Sequence, residues 1–221
     1  MPLTHATSCF DVAIPSQSLA GIPITLPGTL QLPDASLGLV LFAHGSGSSR
    51  HSPRNTHVAE VLNESRIATL LFDLLTEQEA TDRVNVFDIG LLADRLGDAI
   101  RFARDHAQTA GLPLGLFGAS TGAAAALVAA AADPFVAAVV SRGGRPDLAG
   151  RAIGRVHTPT LLLVGGHDPQ VLALNELALH DLSGEKRMAI IPGASHLFEE
   201  PGTLDEVTGL AAEWFARYLR E

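Results

Sequence analysis

The chain has 221 residues, 47% of them hydrophobic and 18% charged, which supports a folded core and excludes a largely disordered protein. Its formal net charge of −9, spread without long acidic blocks, argues against nucleic acid and membranes as partners. The single cysteine, Cys9, excludes an intramolecular disulfide. Together with the lack of a long apolar stretch or a basic leader, this predicts a cytoplasmic protein.

The N-terminal part of the chain predicts short strands that are interrupted by prolines. Residues 8–14 and 22–32 are extended in character, and Pro27-Gly28 predicts a turn between two such pieces. We therefore expect an antiparallel start at the edge of a sheet.

The rest of the chain alternates buried strands with helices. The apolar runs that predict strands covered on both faces are residues 37–42, 68–72, 114–117, 135–140, 160–164 and 188–191. Helices are predicted at residues 55–64, 88–103, 123–132 and 171–180, and at the C-terminus from a capping box of Thr203 and Glu206; residues 76–84 are predicted as a loop. This pattern indicates an α/β protein with a mostly parallel, doubly wound sheet.

Ser120 lies in the motif Gly-Ala-Ser-Thr-Gly at residues 118–122, between a predicted strand and an alanine-rich helix. A strand that reverses at once into a helix strains the residue at the apex and needs small residues on both sides. We interpret the motif as a turn that exposes a nucleophilic serine. The alternative is a glycine-bounded turn in which the serine only caps the helix.

Other polar residues also follow predicted strands, and the carboxyl ends of parallel strands meet at one edge of the sheet. A serine hydroxyl needs a base that removes its proton, and that base needs a third group that orients it. Ser120, Asp168 and His196 supply these three groups in the order nucleophile, acid, histidine. Asp147, after the preceding strand, is the alternative acid.

This order resembles that of the α/β-hydrolases. The motif at 118–122, the acid in Gly-Gly-His-Asp at 165–168 and the histidine in Gly-Ala-Ser-His at 193–196 are similar to those of the dienelactone hydrolase-related branch. The resemblance implies an α/β-hydrolase fold in a single domain of residues 1–221, without a large lid. Dienelactone hydrolases use a cysteine nucleophile where this chain has Ser120, so their lactone substrate is not carried over.

The resemblance also implies the oxyanion hole and the reaction. One donor is the backbone N–H of Thr121, and the other is that of Ser46, or of Gly45 or Gly47 if the loop is shifted by one residue. The implied function is a serine hydrolase that cleaves small-molecule carboxylic esters, thioesters or lactones through an acyl-enzyme, without a cofactor. The sequence does not decide between a monomer and a homodimer.

Four arginines fall on the loops of the predicted rim: Arg50, Arg54, Arg142 and Arg145. Because arginine binds carboxylates and phosphates in a bidentate fashion, we expect one or two of them, with Arg50, Arg142 and Arg145 as candidates, to bind an anionic group of the substrate. The alternative is that they hold loops together by pairing with Asp73, Asp147 or backbone carbonyls.

Two other function classes are compatible with parts of the sequence. A catalytically inactive α/β-hydrolase fold could serve for binding alone. Gly45-Ser46-Gly47 after a buried strand also resembles the turn of a nucleotide-binding oxidoreductase, but Arg50 stands where the third glycine is required. No metal is expected, because His44, His51 and His57 lack a zinc-binding spacing.

Overall fold

One eight-stranded sheet organises the computed structural model, which describes residues 6–220. Its strands are β1 (Thr7–Gln17), β2 (Pro23–Pro33), β3 (Leu39–Ala43), β4 (Ala68–Phe72), β5 (Leu114–Ala119), β6 (Val136–Arg142), β7 (Thr160–Gly165) and β8 (Lys186–Ile191). They lie in the order β1-β2-β4-β3-β5-β6-β7-β8. The pairs β1–β2 and β2–β4 are antiparallel and all others are parallel, which confirms the predicted fold class.

Helices cover both faces of this sheet. They are α1 (Pro53–Glu64), α2 (Glu77–Ala80), α3 (Arg83–Val86), α4 (Ile89–Asp105), α5 (Thr121–Ala132), α6 (Pro169–Asp181) and α7 (Thr203–Tyr218), with a 3-10 segment at Pro146–Arg155. Within residues 6–220, no helix combines the length and the apolar character that crossing a membrane would require.

Each face of the sheet has its own hydrophobic core. Leu96 and Ile100 of α4 and the alanines of α5 pack on one face. Val58 and Leu62 of α1, with Phe215 of α7, pack on the other. Because both faces are covered, the central strands are buried along their whole length, as their continuous apolar runs predict.

The predicted turn at Pro27-Gly28 is wrong, because both residues lie inside the continuous strand β2 and pair with β1. The carbonyl of Pro27 accepts from the Asp73 N–H, so the Pro27 nitrogen faces the same side of the strand. The pairing of β2 with β4 begins only at Gly28. A proline at this position therefore removes no hydrogen bond from the sheet.

Two further local predictions are wrong. Residues 76–84, predicted as a loop, contain α2 and part of α3, and the Thr76 and Glu79 side chains cap α2 reciprocally. The predicted capping box of α7 is absent. Gly202 in a left-handed conformation precedes that helix, and the Thr203 hydroxyl instead donates to the Glu200 carbonyl.

The junction between β5 and α5 depends on two glycines. A Cβ on Gly122 would lie far inside van der Waals contact of the Ala43 and His44 carbonyl oxygens, and one on Gly118 would collide with the backbone of Ala123. The start of α5 is therefore pressed against the end of β3, which is where the next loop leaves the sheet.

We expect Gly122→Ala to lower the free energy of unfolding by about 3 kcal/mol or more, because a methyl group cannot be accommodated against fixed backbone. Gly209→Ala is the matched control. Gly209 lies inside α7 with open space around it, so its replacement should raise stability by about 0.5–1 kcal/mol. Urea denaturation followed by circular dichroism measures both changes. Equal effects of the two substitutions would contradict this account of the junction.

Candidate active site

Ser120 stands at the apex of the turn between β5 and α5 with φ 51° and ψ −119°. A non-glycine residue in such a conformation carries strain of about 1–3 kcal/mol, which the surroundings must hold in place. Here the Ser120 N–H donates to the Arg142 carbonyl, and the Ser120 carbonyl accepts from the Arg145 N–H at 3.1 Å. Its side chain makes no capping hydrogen bond, so the reading of Ser120 as a mere helix cap is not supported.

His196, on the loop after β8, pairs with Asp168, on the loop after β7. The His196 Nδ1 lies 2.7 Å from Asp168 Oδ2, and the carboxylate is shielded from solvent more than the ring is. Asp168 also caps α6 through its other oxygen, which fixes the carboxylate in place. This bond orients the imidazole and leaves Nε2 as the nitrogen available to a nucleophile.

The loop that carries His196 is held by Glu200. The carboxylate of Glu200 accepts the Ser195 N–H at 3.0 Å, and hydrogen bonds from Ser195 lower the pKa of Glu200. Ser120 and His196 line the same cavity of about 220 Å³. Within residues 6–220, no hydrogen bond joins the two side chains; in enzymes such a bond often forms only when substrate binds.

Three of the predicted site residues have partners elsewhere. Asp147 accepts a bidentate ion pair from Arg145, with Nε 2.9 Å and Nη2 2.7 Å from the carboxylate oxygens. This pairing raises the pKa of Arg145 and leaves Asp168 as the acid beside the histidine. Arg50 pairs with Asp73 through both its backbone N–H and its guanidinium. Arg50 and Arg145 therefore hold loops together through Asp73 and Asp147, as the alternative to substrate binding predicted.

Arg142, the last residue of β6, differs from these two arginines. It is only 7% exposed, and within residues 6–220 its side chain makes no hydrogen bond or ion pair. Burial, and secondarily the positive charge of Arg54, lowers the pKa of Arg142 to about 10. The guanidinium nevertheless remains a cation near neutral pH, and it lines the cavity that contains Ser120 and His196.

The two predicted oxyanion residues contact each other. The Ser46 N–H donates to the Thr121 Oγ1 at 2.9 Å, so the hydroxyl ties the loop after β3 to the start of α5. The Ser46 N–H that was predicted as the second oxyanion donor is therefore already engaged in this structure. The backbone N–H of Thr121 is at the first position of α5, where a helix offers no acceptor of its own, and the positive end of the helix dipole adds to it.

A second, larger cavity of about 440 Å³ adjoins the same loop, and the sequence did not predict it. Gly45, Ser46 and Thr121 are among its lining residues. Its apolar wall comes from the segment after β4 and from the helices α2 to α4, with Leu74, Leu75, Ala80, Val86 and Leu92 lining it. The pair Leu74-Leu75 directly after Asp73 was the signal that could have indicated an apolar wall at the rim.

His44 holds the loop after β3, a role that the sequence did not reveal. Its Nε2 accepts the Leu74 N–H at 3.2 Å, so Nδ1 carries the proton and donates to the Gly45 carbonyl at 3.0 Å. Burial lowers the pKa of His44, against smaller opposing contributions from Gly45 and Asp73. These two hydrogen bonds are those of a neutral imidazole. In the described part of the chain, no cluster of His, Cys, Asp or Glu side chains is arranged to hold a metal ion.

This histidine should make stability depend on pH. The unfolded chain takes up a proton near pH 6.5, whereas folded His44 resists protonation, so its contribution is present above that pH and is lost as the pH falls. We expect the melting temperature of the wild type to fall more between pH 7.5 and 5 than that of His44→Gln, which cannot titrate. Parallel pH profiles of the two proteins, measured by differential scanning calorimetry, would contradict this expectation.

Comparison with known proteins places this architecture in a family. A family model described as an alpha/beta hydrolase domain matches residues 36–210. A crystal structure of dienelactone hydrolase from Anabaena variabilis is 53% identical in sequence with a TM-score of 0.92, covering 98% of this chain and 100% of that one. Est1E from Butyrivibrio proteoclasticus shares the fold, with 16% identity, a TM-score of 0.77 and coverage of 94% and 98%.

Two proteins from strains of Mycobacterium tuberculosis are 58% identical over 205 residues, and both carry the name "Putative phosphoribosyl transferase". The match covers 92% of this chain and 46% of each of those proteins, so the chain spans about half the length of these relatives. From the family model and the dienelactone hydrolase together, the chain belongs to the α/β-hydrolase superfamily, in its dienelactone hydrolase-related branch.

Proposed function

We propose that this chain is a serine hydrolase of carboxylic esters, with thioesters and lactones as further substrates. The observation that carries the proposal is Ser120 at a positive φ, on the wall of the cavity that also receives His196 held 2.7 Å from Asp168. A strained, half-buried serine that lines the same cavity as an oriented histidine is an arrangement suited to nucleophilic catalysis. Membership of a hydrolase family supports the same reaction class.

The proposed reaction proceeds in two acyl transfers. Ser120 Oγ attacks the ester carbonyl carbon while His196 Nε2 accepts the hydroxyl proton, and Asp168 remains ionised and stabilises the imidazolium. When the tetrahedral intermediate collapses, His196 returns the proton to the leaving alcohol. Water, deprotonated by the same nitrogen, then attacks the acyl-enzyme, and its hydrolysis releases the carboxylic acid and restores Ser120.

The developing oxyanion is stabilised at the start of α5. The backbone N–H of Thr121 is free of helical partners and serves as one donor. The Thr121 hydroxyl accepts the Ser46 N–H and so positions the loop after β3, on which the N–H of Gly45 or Gly47 is left as the second donor. We therefore assign Thr121 two roles: its backbone N–H is an oxyanion donor, and its side-chain hydroxyl positions the loop after β3.

The two cavities suit a substrate with two different ends. The larger cavity has an aliphatic wall that includes Leu74, Val86 and Leu92 beside a polar wall, whereas arginine, serine, asparagine and histidine side chains predominate in the lining of the smaller one. An ester bond at Ser120 would lie between them, with an apolar part toward Leu74 and Val86. We infer no transferase activity from the name of the mycobacterial relatives, because more than half of each lies outside the match.

A fluorophosphonate probe tests the function directly. We expect the wild type to be labelled covalently and to hydrolyse short-chain p-nitrophenyl esters, because an activated serine attacks both. Ser120→Ala should abolish both reactions, as measured by mass spectrometry of the intact protein and by p-nitrophenolate release. A folded wild type without labelling would instead support the alternative of a catalytically inactive binding protein.

Two asparagine variants provide the matched control for that test. Asp168→Asn removes the charge beside His196 and should slow labelling about 10³-fold or more, because an amide favours the wrong tautomer of the imidazole and does not stabilise the imidazolium. Asp147→Asn alters the carboxylate that pairs with Arg145 and should label at a rate close to that of the wild type. The reverse ranking would make Asp147 the acid.

Thr121→Val tests the oxyanion region. The substitution keeps the shape and the backbone N–H but removes the acceptor of Ser46 N–H. We expect kcat to fall about 10- to 100-fold with little change in KM, because the loss affects the transition state more than substrate binding. Thr121→Ser, which retains a hydroxyl, should restore most of the rate. If Thr121→Val had the same kcat as the wild type, the Thr121 hydroxyl would have no role in the reaction.

A further inference from the structure

Two short helices, α2 and α3, form part of the wall of the larger cavity. They line it through Glu77 and Ala80 of α2 and through Val86 of α3. Both helices lie within residues 6–220, each has four residues, and neither contains a buried residue. The aliphatic lining at Leu74 and Leu92, in contrast, belongs to the hydrophobic core. Burial of apolar side chains, which holds most helices in place, therefore contributes little to this part of the wall.

Glu79 is the centre of the polar contacts that hold α2. One carboxylate oxygen accepts from the N–H and from the hydroxyl of Thr76, at 3.0 and 3.1 Å, and so caps the helix. The other oxygen accepts from Nη2 of Arg95, on α4, at 2.6 Å. The Glu79 carbonyl accepts from the Asn85 side chain at 3.0 Å, which joins α3 to α2. Both helices of the wall are thus connected to α4 through one residue.

Arg95 is a charged residue among the apolar buried residues of α4. Its side chain is 2% exposed and that of Glu79 is 12% exposed. Its Nη1 donates to the Ser16 hydroxyl and to the Gln17 carbonyl, at the end of β1. A buried ion pair adds little net stability, because the loss of hydration offsets the attraction between the charges, but its geometry is demanding. The guanidinium therefore fixes α2 in position against α4 and β1.

We propose that Arg95 and Glu79 are positioning residues that set the width of the larger cavity, and thereby a preference for esters with an aliphatic chain. Within the described chain neither residue lines the cavity, so both act through α2 and α3. This inference rests on the proposed esterase function and specifies its substrate class. Without the ion pair, α2 and α3 shift relative to Leu74 and Leu92, and their apolar contacts with the chain of the substrate are lost.

Three esters measure the chain preference of the wild type. Methyl acetate is the short reference, methyl hexanoate has a longer acyl side, and hexyl acetate has a longer alcohol side. We expect one of the two longer esters to exceed methyl acetate in kcat/KM by about 10-fold or more, because each buried methylene contributes about 4-fold. Titration of the released acid follows the hydrolysis. Cleavage of all three esters without a preference for either longer one would overturn the proposal.

Arg95→Met replaces the charge with an apolar side chain and leaves Glu79 without its cation. We expect the ratio of kcat/KM between the longer and the short ester to fall about 5-fold or more, equivalent to lost contact with one or two methylenes. The fall should come mainly from a higher KM for the longer ester, with kcat changing less. Arg95→Lys, which keeps the charge without the fork, should restore part of the ratio. If the methionine variant does not fold, Glu79→Gln decides the question and should lower the same ratio.

Arg104, in the last turn of the same helix, provides the matched control. It lies 3.9 Å from Asp133, its side chain is 45% exposed, and its guanidinium stacks on Phe135, away from the cavity wall. Arg104→Met should keep the wild-type ratio. A ratio that is unchanged in folded Arg95→Met, or that falls equally in Arg104→Met, would show that the width of the cavity does not depend on the ion pair.

Binding without turnover separates this proposal from the esterase function. In Ser120→Ala, isothermal titration calorimetry with both longer esters should show binding of one of them, and Arg95→Met in the same background should weaken it. If the wild type cleaves no ester but this weakening is observed, the reaction is wrong and the positioning role stands. If esters are cleaved with a chain preference that Arg95→Met leaves unchanged, the positioning role is wrong and the reaction stands.

Discussion

The contact between the start of α5 and the end of β3 is the constraint on which the rest of the site depends. Gly122 allows the helix to lie directly against the carbonyls of Ala43 and His44, closer than any side chain would permit. That approach brings the loop after β3 within hydrogen-bond distance of Thr121 and sets Ser120 at the apex of the turn. The strain at Ser120 is then held by hydrogen bonds to the backbone at Arg142 and Arg145. The proposed nucleophile, the proposed oxyanion region and the loop that lines both cavities thus meet at one backbone junction.

The charges at the rim are divided between structural and available groups. Asp73 and Asp147 each hold an arginine, and burial lowers the pKa of His44, which supports the loop at Gly45. Asp168 has both kinds of role. One oxygen caps α6, and the other pairs with His196 in the chemistry that we propose. Against this background the unpaired Arg142 is distinct, because its neighbours have acidic partners and it has none among the described residues.

Much of the fold and of the candidate site could be predicted because the relevant signals are local. Continuous apolar runs predicted the central strands, and small residues around Ser120 predicted the sharp turn. The errors occurred where contacts with other residues decide the local structure. Pro27 fits within β2 because the pairing with β4 begins only at Gly28. Helix α2 is stabilised by the reciprocal cap of Thr76 and Glu79, in a segment whose polar composition does not predict a helix. The larger cavity with its aliphatic wall could not be predicted, since it is formed by side chains from several elements.

The sequence by itself determined the alternation of strands and helices, the strand after which each polar residue falls, and hence the set of residues at one edge of the sheet. It left open which acid pairs with the histidine and which arginine is free. Only the tertiary structure decided these pairings, because the partner of a carboxylate or a guanidinium is the group that lies within about 3 Å of it. Asp147 and Asp168 both follow strands, but one meets Arg145 and the other meets His196. Distances of that kind arise from loop paths that no local pattern encodes.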